Sequence, residues 1–129
     1  MSQELMDWTV ARHEALMAVL ALLSAEYRLS DELSSVLNVT GAEMTADQAA
    51  GKLARTTEAL PLDRRPVGWT TPAVKRDEPR TARRRFVAAA IRCVAAGYAD
   101  EHAWADADSE HADELLCIAA RDLAERTVA

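Results

Sequence analysis

Proline is nearly confined to one place in this 129-residue chain. The four prolines, Pro61, Pro66, Pro72 and Pro79, fall in a single stretch, PLDRRPVGWTTPAVKRDEP, and residues 1–60 and 80–129 contain none. Glycine also numbers only four, and aromatic residues six. Flanks this poor in helix breakers, and rich in alanine rather than β-branched or aromatic residues, argue for helix and against sheet. With two cysteines, Cys93 and Cys117, a disulfide scaffold and a cysteine-based zinc cluster are both excluded. Each cysteine sits in an apolar, helical pattern (IRCVAA and LLCIAA), where a thiol serves as a small hydrophobe; a bridge between them would require their helices to lie side by side. Long hydrophobic runs are missing too. The longest, Ala15 to Leu23, has nine residues, against the roughly twenty that span a bilayer. It follows no basic leader with a small-residue cleavage site. No membrane association and a cytoplasmic location are therefore expected.

What is present builds one domain. Half the residues are apolar, which rules out disorder throughout, and the length suits a single domain over 1–129. Ser2 is placed to cap a first helix with Glu4 and Asp7 in its opening turn. Met6, Val10, His13, Met17, Leu20 and Tyr27 follow helical spacing along it. From Ala15 to Leu23 that helix is apolar all round, so it lies centrally in a bundle or at a subunit interface. A short second helix, DELSSVLN, is expected after Ser30. A third opens at the capping pair Thr45 and Gln48 and is ended by Pro61. Asp77 or Glu78 starts a fourth, with Pro79 in its first turn, burying Phe86, Val87, Ala90, Ile91 and Val94 and stopping near Gly97. A last helical region carries Trp104, Leu115, Leu116, Ile118 and Leu123. The expected fold class is all-α: a single-domain bundle of four to five helices with a long, extended Pro/Arg-rich central loop over 61–78.

Charge is unevenly laid out. The net charge of −6 divides into −6 over residues 1–51, +7 over 52–92 and −7 over 93–129. Arg64, Arg65, Lys75, Arg76, Arg80, Arg83, Arg84 and Arg85 lie within twenty-two residues. Arginine presents a planar fork suited to carboxylate or phosphate. Either the positive middle is neutralised by the acidic ends of its own chain, or it meets an outside anion. Trp69, in the loop, covers the edge of the core or docks a partner.

The segment ELSSVLNVTGAEMTADQAAGKLART also reads as helix, tight turn, helix, with Asn38 in the turn, Val39 plugging the elbow and Met44 returning to the core. Its spacing resembles the helix–turn–helix of winged-helix repressors, including the multiple-antibiotic-resistance regulator type, over about twenty-five residues. The resemblance implies groove contacts by Gln48, Lys52 and Arg55, and wing or phosphate contacts by Arg64 and Arg65 in DRRPVGWTT.

Histidine and carboxylate pairs, Glu101–His102, Glu110–His111 and Asp108 with His111, lack the second helical motif that a di-metal bundle needs. No metal or cofactor is expected, and no nucleophile–base pair or phosphate-cradling loop argues for catalysis. The leading expectation is a homodimeric protein–protein interaction or regulatory module, joined through the first and last helices. Its contacts to an acidic protein partner would come from Arg64, Arg65, Trp69, Arg80, Arg83 and Arg84. The second is a DNA-binding regulator, which takes nucleic acid as the partner. The third is an enzyme or ligand receptor with an anion pocket lined by Trp69 and arginines.

Overall fold

The computed structural model describes residues 2–27, 34–69, 78–101 and 106–127, with side chains over 2–27, 38–69, 78–97 and 111–126. Four α-helices account for nearly all of it: α1 (Gln3–Tyr27), α2 (Ser34–Glu58), α3 (Pro79–Glu101) and α4 (Asp106–Thr127). A single 3-10 turn, Leu62–Arg64, lies between α2 and α3. Among the described residues there is no strand, and the protein is all-α. No helix among them is long and apolar enough to cross a membrane.

The helix starts follow local chemistry. The Leu5 amide donates to Ser2 Oγ at 3.3 Å, supplying one of the acceptors that a helix N-terminus lacks. Pro79 opens α3, where its missing N–H leaves nothing unpaired. The Glu78 carbonyl before it accepts the Ala82 amide at 3.0 Å.

Two helical hairpins, α1 with α2 and α3 with α4, form the bundle. They join through α2 against α4 and, more lightly, α1 against α3. In the first hairpin Trp8 meets Thr57 and Glu14 meets Lys52, so the partners run in opposite order and the helices are antiparallel. Alanine dominates the contact faces: Ala11, Ala15 and Ala18 on α1, Ala46, Ala49 and Ala50 on α2, Ala82, Ala89 and Ala90 on α3, Ala112 and Ala120 on α4. Side chains this small let helix axes approach closely. The few large ones, Leu22, Leu53, Phe86, Leu116 and Leu123, fill the space between.

Three expectations are corrected here. First, the turn at Asn38 does not form; α2 is one helix from Ser34 to Glu58. Thr45 does not cap a new helix, because its hydroxyl donates back to the Gly41 carbonyl at 3.0 Å. No proline interrupts the segment, and a 25-residue α2 can pair with the 25-residue α1 along its length. Pairing of that extent outweighs the local turn preference of Asn38 and Gly41. Met44 consequently faces outward and is exposed. Second, α1 turns its small side chains inward. Met6, Val10, His13, Met17, Leu20 and Tyr27 are all exposed. Third, Ile91 and Val94 are exposed and α3 continues past Gly97 to Glu101.

Candidate functional site

The arginine-rich start of α3 packs against the middle of α2 and lies beside the last turns of α1. Arg83 reaches across to α2 and holds Asp47 with both prongs of its guanidinium, Nε to Oδ1 at 2.8 Å and Nη2 to Oδ2 at 2.7 Å. Its third prong, Nη1, donates to Glu43 Oε2 at 2.6 Å. Asp47 and Glu43 are one helical turn apart on α2, so both can face one cation. The hydrogen bonds to Asp47 and the two negative charges raise the Arg83 pKa further, against the opposing effect of burial. Arg83 is thereby committed to carboxylates of its own chain.

Arg80 and Arg84 differ. Both are exposed, and among the described residues neither side chain has a partner. With Arg83 they line a cleft of about 560 Å³ whose apolar wall is Leu22, Val39 and Val87. Glu26 stands at the same cleft. Cations beside apolar surface form a site for an amphipathic anion: the fork takes a carboxylate, and the floor takes carbon.

Beyond α2 the chain turns a tight corner. After the 3-10 turn, Arg65 is extended, and Gly68 takes a positive φ of 85°. Trp69 then turns inward and is only 7 % exposed. Its indole N–H donates to Glu58, and its carbonyl accepts from Arg121 of α4. The Arg121 guanidinium also lies 5.4 Å from the centre of the indole ring, a cation–π distance. Trp69 is thus a core residue whose polar edge is already used. Arg65 folds back, donating from Nε to the Leu60 carbonyl at 2.8 Å with Nη1 3.8 Å from Glu58. Arg64 is exposed, with no side-chain partner among the described residues. Residues 61–69 hold no strand, so the described part of the expected wing is a compact corner instead.

Arg64 and Arg65 line a second cleft, of about 360 Å³, with Leu5, Trp8, Leu60 and Pro66. Trp69 is not part of it, and Asp63, Asp113 and Glu114 are. The cations there face acids, so among the described residues no purely cationic, anion-binding pocket forms beneath the corner. Gln48, Lys52 and Arg55 lie on one stretch of α2, along a groove shared with Glu14, Met17 and Ala21 of α1. Lys52 Nζ is held by both oxygens of Glu14, at 3.0 and 2.9 Å.

Sequence reasoning missed a partly buried set of polar contacts toward the other end of α1. The Trp8 indole N–H donates to Thr57 Oγ1 at 3.1 Å, and the Thr57 hydroxyl donates to the Leu53 carbonyl at 2.7 Å. Arg12 Nε donates to Asp113 Oδ1 at 2.8 Å. The Cys93 thiol approaches the Ala112 carbonyl at 3.2 Å and Asp113 Oδ1 at 3.6 Å. Burial first, and the Asp113 charge second, push the Cys93 pKa up to about 12. Burial raises that of Cys117 as well. Thiols held this far from ionisation are poor nucleophiles and poor metal ligands. Both cysteines are free and buried, which answers the question of a bridge. Among the described residues no three His, Cys, Asp or Glu side chains group as a metal site. His111 is exposed on α4, 4.0 Å from Glu114, while the side chains of His102, Asp108 and Glu110 lie outside the described residues.

Comparison with known protein families, with curated proteins and with solved structures finds no match for this chain.

Proposed function

We propose that this protein is a helical protein–protein interaction module that grips an acidic partner at the start of α3 and works as a homodimer. The observation that carries the reading is the division of labour among three neighbouring arginines. Arg83 is saturated by Asp47 and Glu43, which anchors α3 to α2 and orients its first turns. Arg80 and Arg84 are left facing solvent beside Leu22, Val39 and Val87. An acidic segment with interleaved apolar residues satisfies both walls of that cleft, carboxylates on the guanidinium forks and side chains on the floor. Arg64 lies at the other cleft, beside Leu5 and Trp8, and Lys75 and Arg76 lie outside the described residues.

The apolar floor favours protein over nucleic acid. A duplex presents phosphate to a basic surface and has no use for Leu22, Val39 and Val87. With α2 continuous, the helix–turn–helix geometry that motivated DNA binding is absent.

The test is titration of a fluorescent amphipathic acidic peptide and of duplex DNA into the full chain. The peptide is expected to bind and to lose affinity with added salt. The double substitution Arg80→Glu and Arg84→Glu should abolish binding while leaving the unfolding midpoint within error. Peptide binding that survives this substitution, or duplex binding stronger than peptide binding, refutes the reading.

A further inference from the structure

The outward face of α1 is unusual. Met6, Val10, His13, Met17, Leu20, Ser24 and Tyr27 follow one another at alternating steps of four and three residues, and every one is exposed. Five are large hydrophobic side chains, between 42 and 89 % exposed. A 4–3 repeat kept for three heptads is the pattern with which one helix packs along another. In this chain α1 already has its intramolecular neighbours on the opposite, alanine-rich face. The repeat is therefore a second seam, and nothing in the bundle covers it among the described residues.

We infer that this seam is covered by α1 of a second copy of the chain, packed antiparallel about a two-fold axis near Met17. The inference rests on the homodimer reading given above and supplies its interface. Surface area favours a whole subunit as occupant. The five apolar side chains expose roughly 600 Å², at the upper end of the largest patch on an ordinary monomer. That is most of the roughly 800 Å² which each partner buries in a standard interface. His13, Ser24 and the adjoining groove with Ala21, Thr45 and Gln48 supply the remainder. A seam of one continuous helix is also self-complementary, as an isologous two-fold contact requires.

Charge selects the direction. Asp7 and Glu14 flank the seam on one side. In a parallel pair each would stand level with its own copy, and the two His13 side chains would meet. In the antiparallel order His13 packs against Leu20 of the second copy, Met17 meets Met17, and Glu14 falls across from Ala21. Along the axis Asp7 and its copy are thereby roughly 30 Å apart, and Glu14 and its copy roughly 9 Å. On the C-terminal helix, Leu116 and Leu123 are buried within the subunit and take no part in this seam.

Sedimentation equilibrium of the full chain tests the inference, with circular dichroism to verify folding. Wild type should be a dimer. Met17→Glu with Leu20→Glu should weaken it by about a hundredfold or more, since two charges per subunit would be buried unpaired. Ile91→Glu, equally exposed but on α3, should leave the dimer intact. As a second measurement that keeps the native seam, Met17→Cys should form an intersubunit disulfide on mild oxidation and His13→Cys should not. The native Cys93 and Cys117 are buried. A monomeric wild type overturns both the seam and the homodimer reading. A dimer indifferent to the Met17 and Leu20 changes, or disrupted by Ile91→Glu, overturns the seam alone. Crosslinking through His13→Cys overturns the antiparallel order.

Discussion

Arg83 and Asp47, 36 residues apart in sequence, are joined by two parallel hydrogen bonds of 2.8 and 2.7 Å. This fork ties the second hairpin to the first at the middle of α2, ten residues along that helix from the Trp8–Thr57 contact. Both side chains are about four-fifths buried, so the pair lies between a solvated surface bridge and a fully buried one. Replacing Arg83 with Ala strands two carboxylates, Asp47 and Glu43, in partial burial, and should cost about 2–3 kcal/mol in urea unfolding. Arg83→Lys keeps the charge and loses the fork, so it should recover less than half of that. A double-mutant cycle with Asp47→Ala should show coupling above 1 kcal/mol or so. Coupling near zero would reduce the fork to an ordinary surface ion pair.

The glycines provide an opposing pair of substitutions. Gly41 and Gly97 lie inside α2 and α3, and an added Cβ at either meets nothing within 4 Å. Alanine there should stabilise the protein by about 0.5–1 kcal/mol each, chiefly by narrowing the unfolded ensemble. Gly68 holds a φ of +85°, which side-chain-bearing residues adopt only with strain. Gly68→Ala should therefore destabilise by about 1–2 kcal/mol and blue- or red-shift the emission of the neighbouring Trp69. Thermal melts of the three variants would show two midpoints rising and one falling. Uniform signs would contradict the backbone assignment.

Much of the helical plan was legible in the sequence, for reasons that are local. Ser2 caps, Pro61 follows the end of α2, and Pro79 opens α3, because each acts on its own turn. What was not legible involves choices between two locally acceptable outcomes. Both faces of α1 are apolar, and hydropathy alone does not say that Ala11, Ala15 and Ala18 go inward while Met6, Met17 and Leu20 go outward. Side-chain size decides it, and only against another helix. Asn38 and Gly41 signal a turn that α2 passes through as helix. Glu43 and Asp47 look like unfavourable charges on a DNA-reading helix until Arg83, far away in sequence, is laid across them. The arginines could be read as a cluster, but which of them remain uncommitted depends on tertiary contacts. Arg121, which clasps Trp69, gave no signal beyond a cation near the end of α4.

Burial of the Cys93 thiol has a consequence at high pH. Its folded pKa, about 12, lies above the ordinary thiol value of 9.0. Between those values the unfolded chain ionises while the native state stays neutral, so protons stay on the native side. The thiol's support for folding is complete below about pH 9 and is lost as pH rises toward 12. Each pH unit across that window should remove about 1.4 kcal/mol. The measurement is urea unfolding at pH 8 and pH 10 for wild type and Cys93→Ala. The variant starts less stable but should show the shallower fall. The same burial predicts negligible labelling of the native protein by iodoacetamide at pH 8, and full labelling of both cysteines in urea. Rapid labelling of the folded chain would contradict the buried placement.

Thr57 is the most demanding single position in the core. It is fully buried, the one polar side chain to be so among the described residues. Its single oxygen takes the Trp8 indole N–H and gives its own proton to Leu53. Thr57→Val conserves shape and takes from the half-buried Trp8 N–H its oxygen acceptor, leaving only the weakly accepting Cys117 sulfur nearby. The expected loss is about 1–3 kcal/mol, the desolvation cost of a poorly paired donor. Thr57→Ser keeps the hydroxyl and drops a methyl, so it should lose about 1 kcal/mol and retain the bond. Trp8→Phe separates the two contributions: in that background the indole donor is gone, and Thr57→Val should become nearly neutral. If Val remained as damaging there as in wild type, the hydroxyl would matter through Leu53 and the helix rather than through Trp8. The tie between the N-terminal turns of α1 and the last turn of α2 would then rest on packing alone.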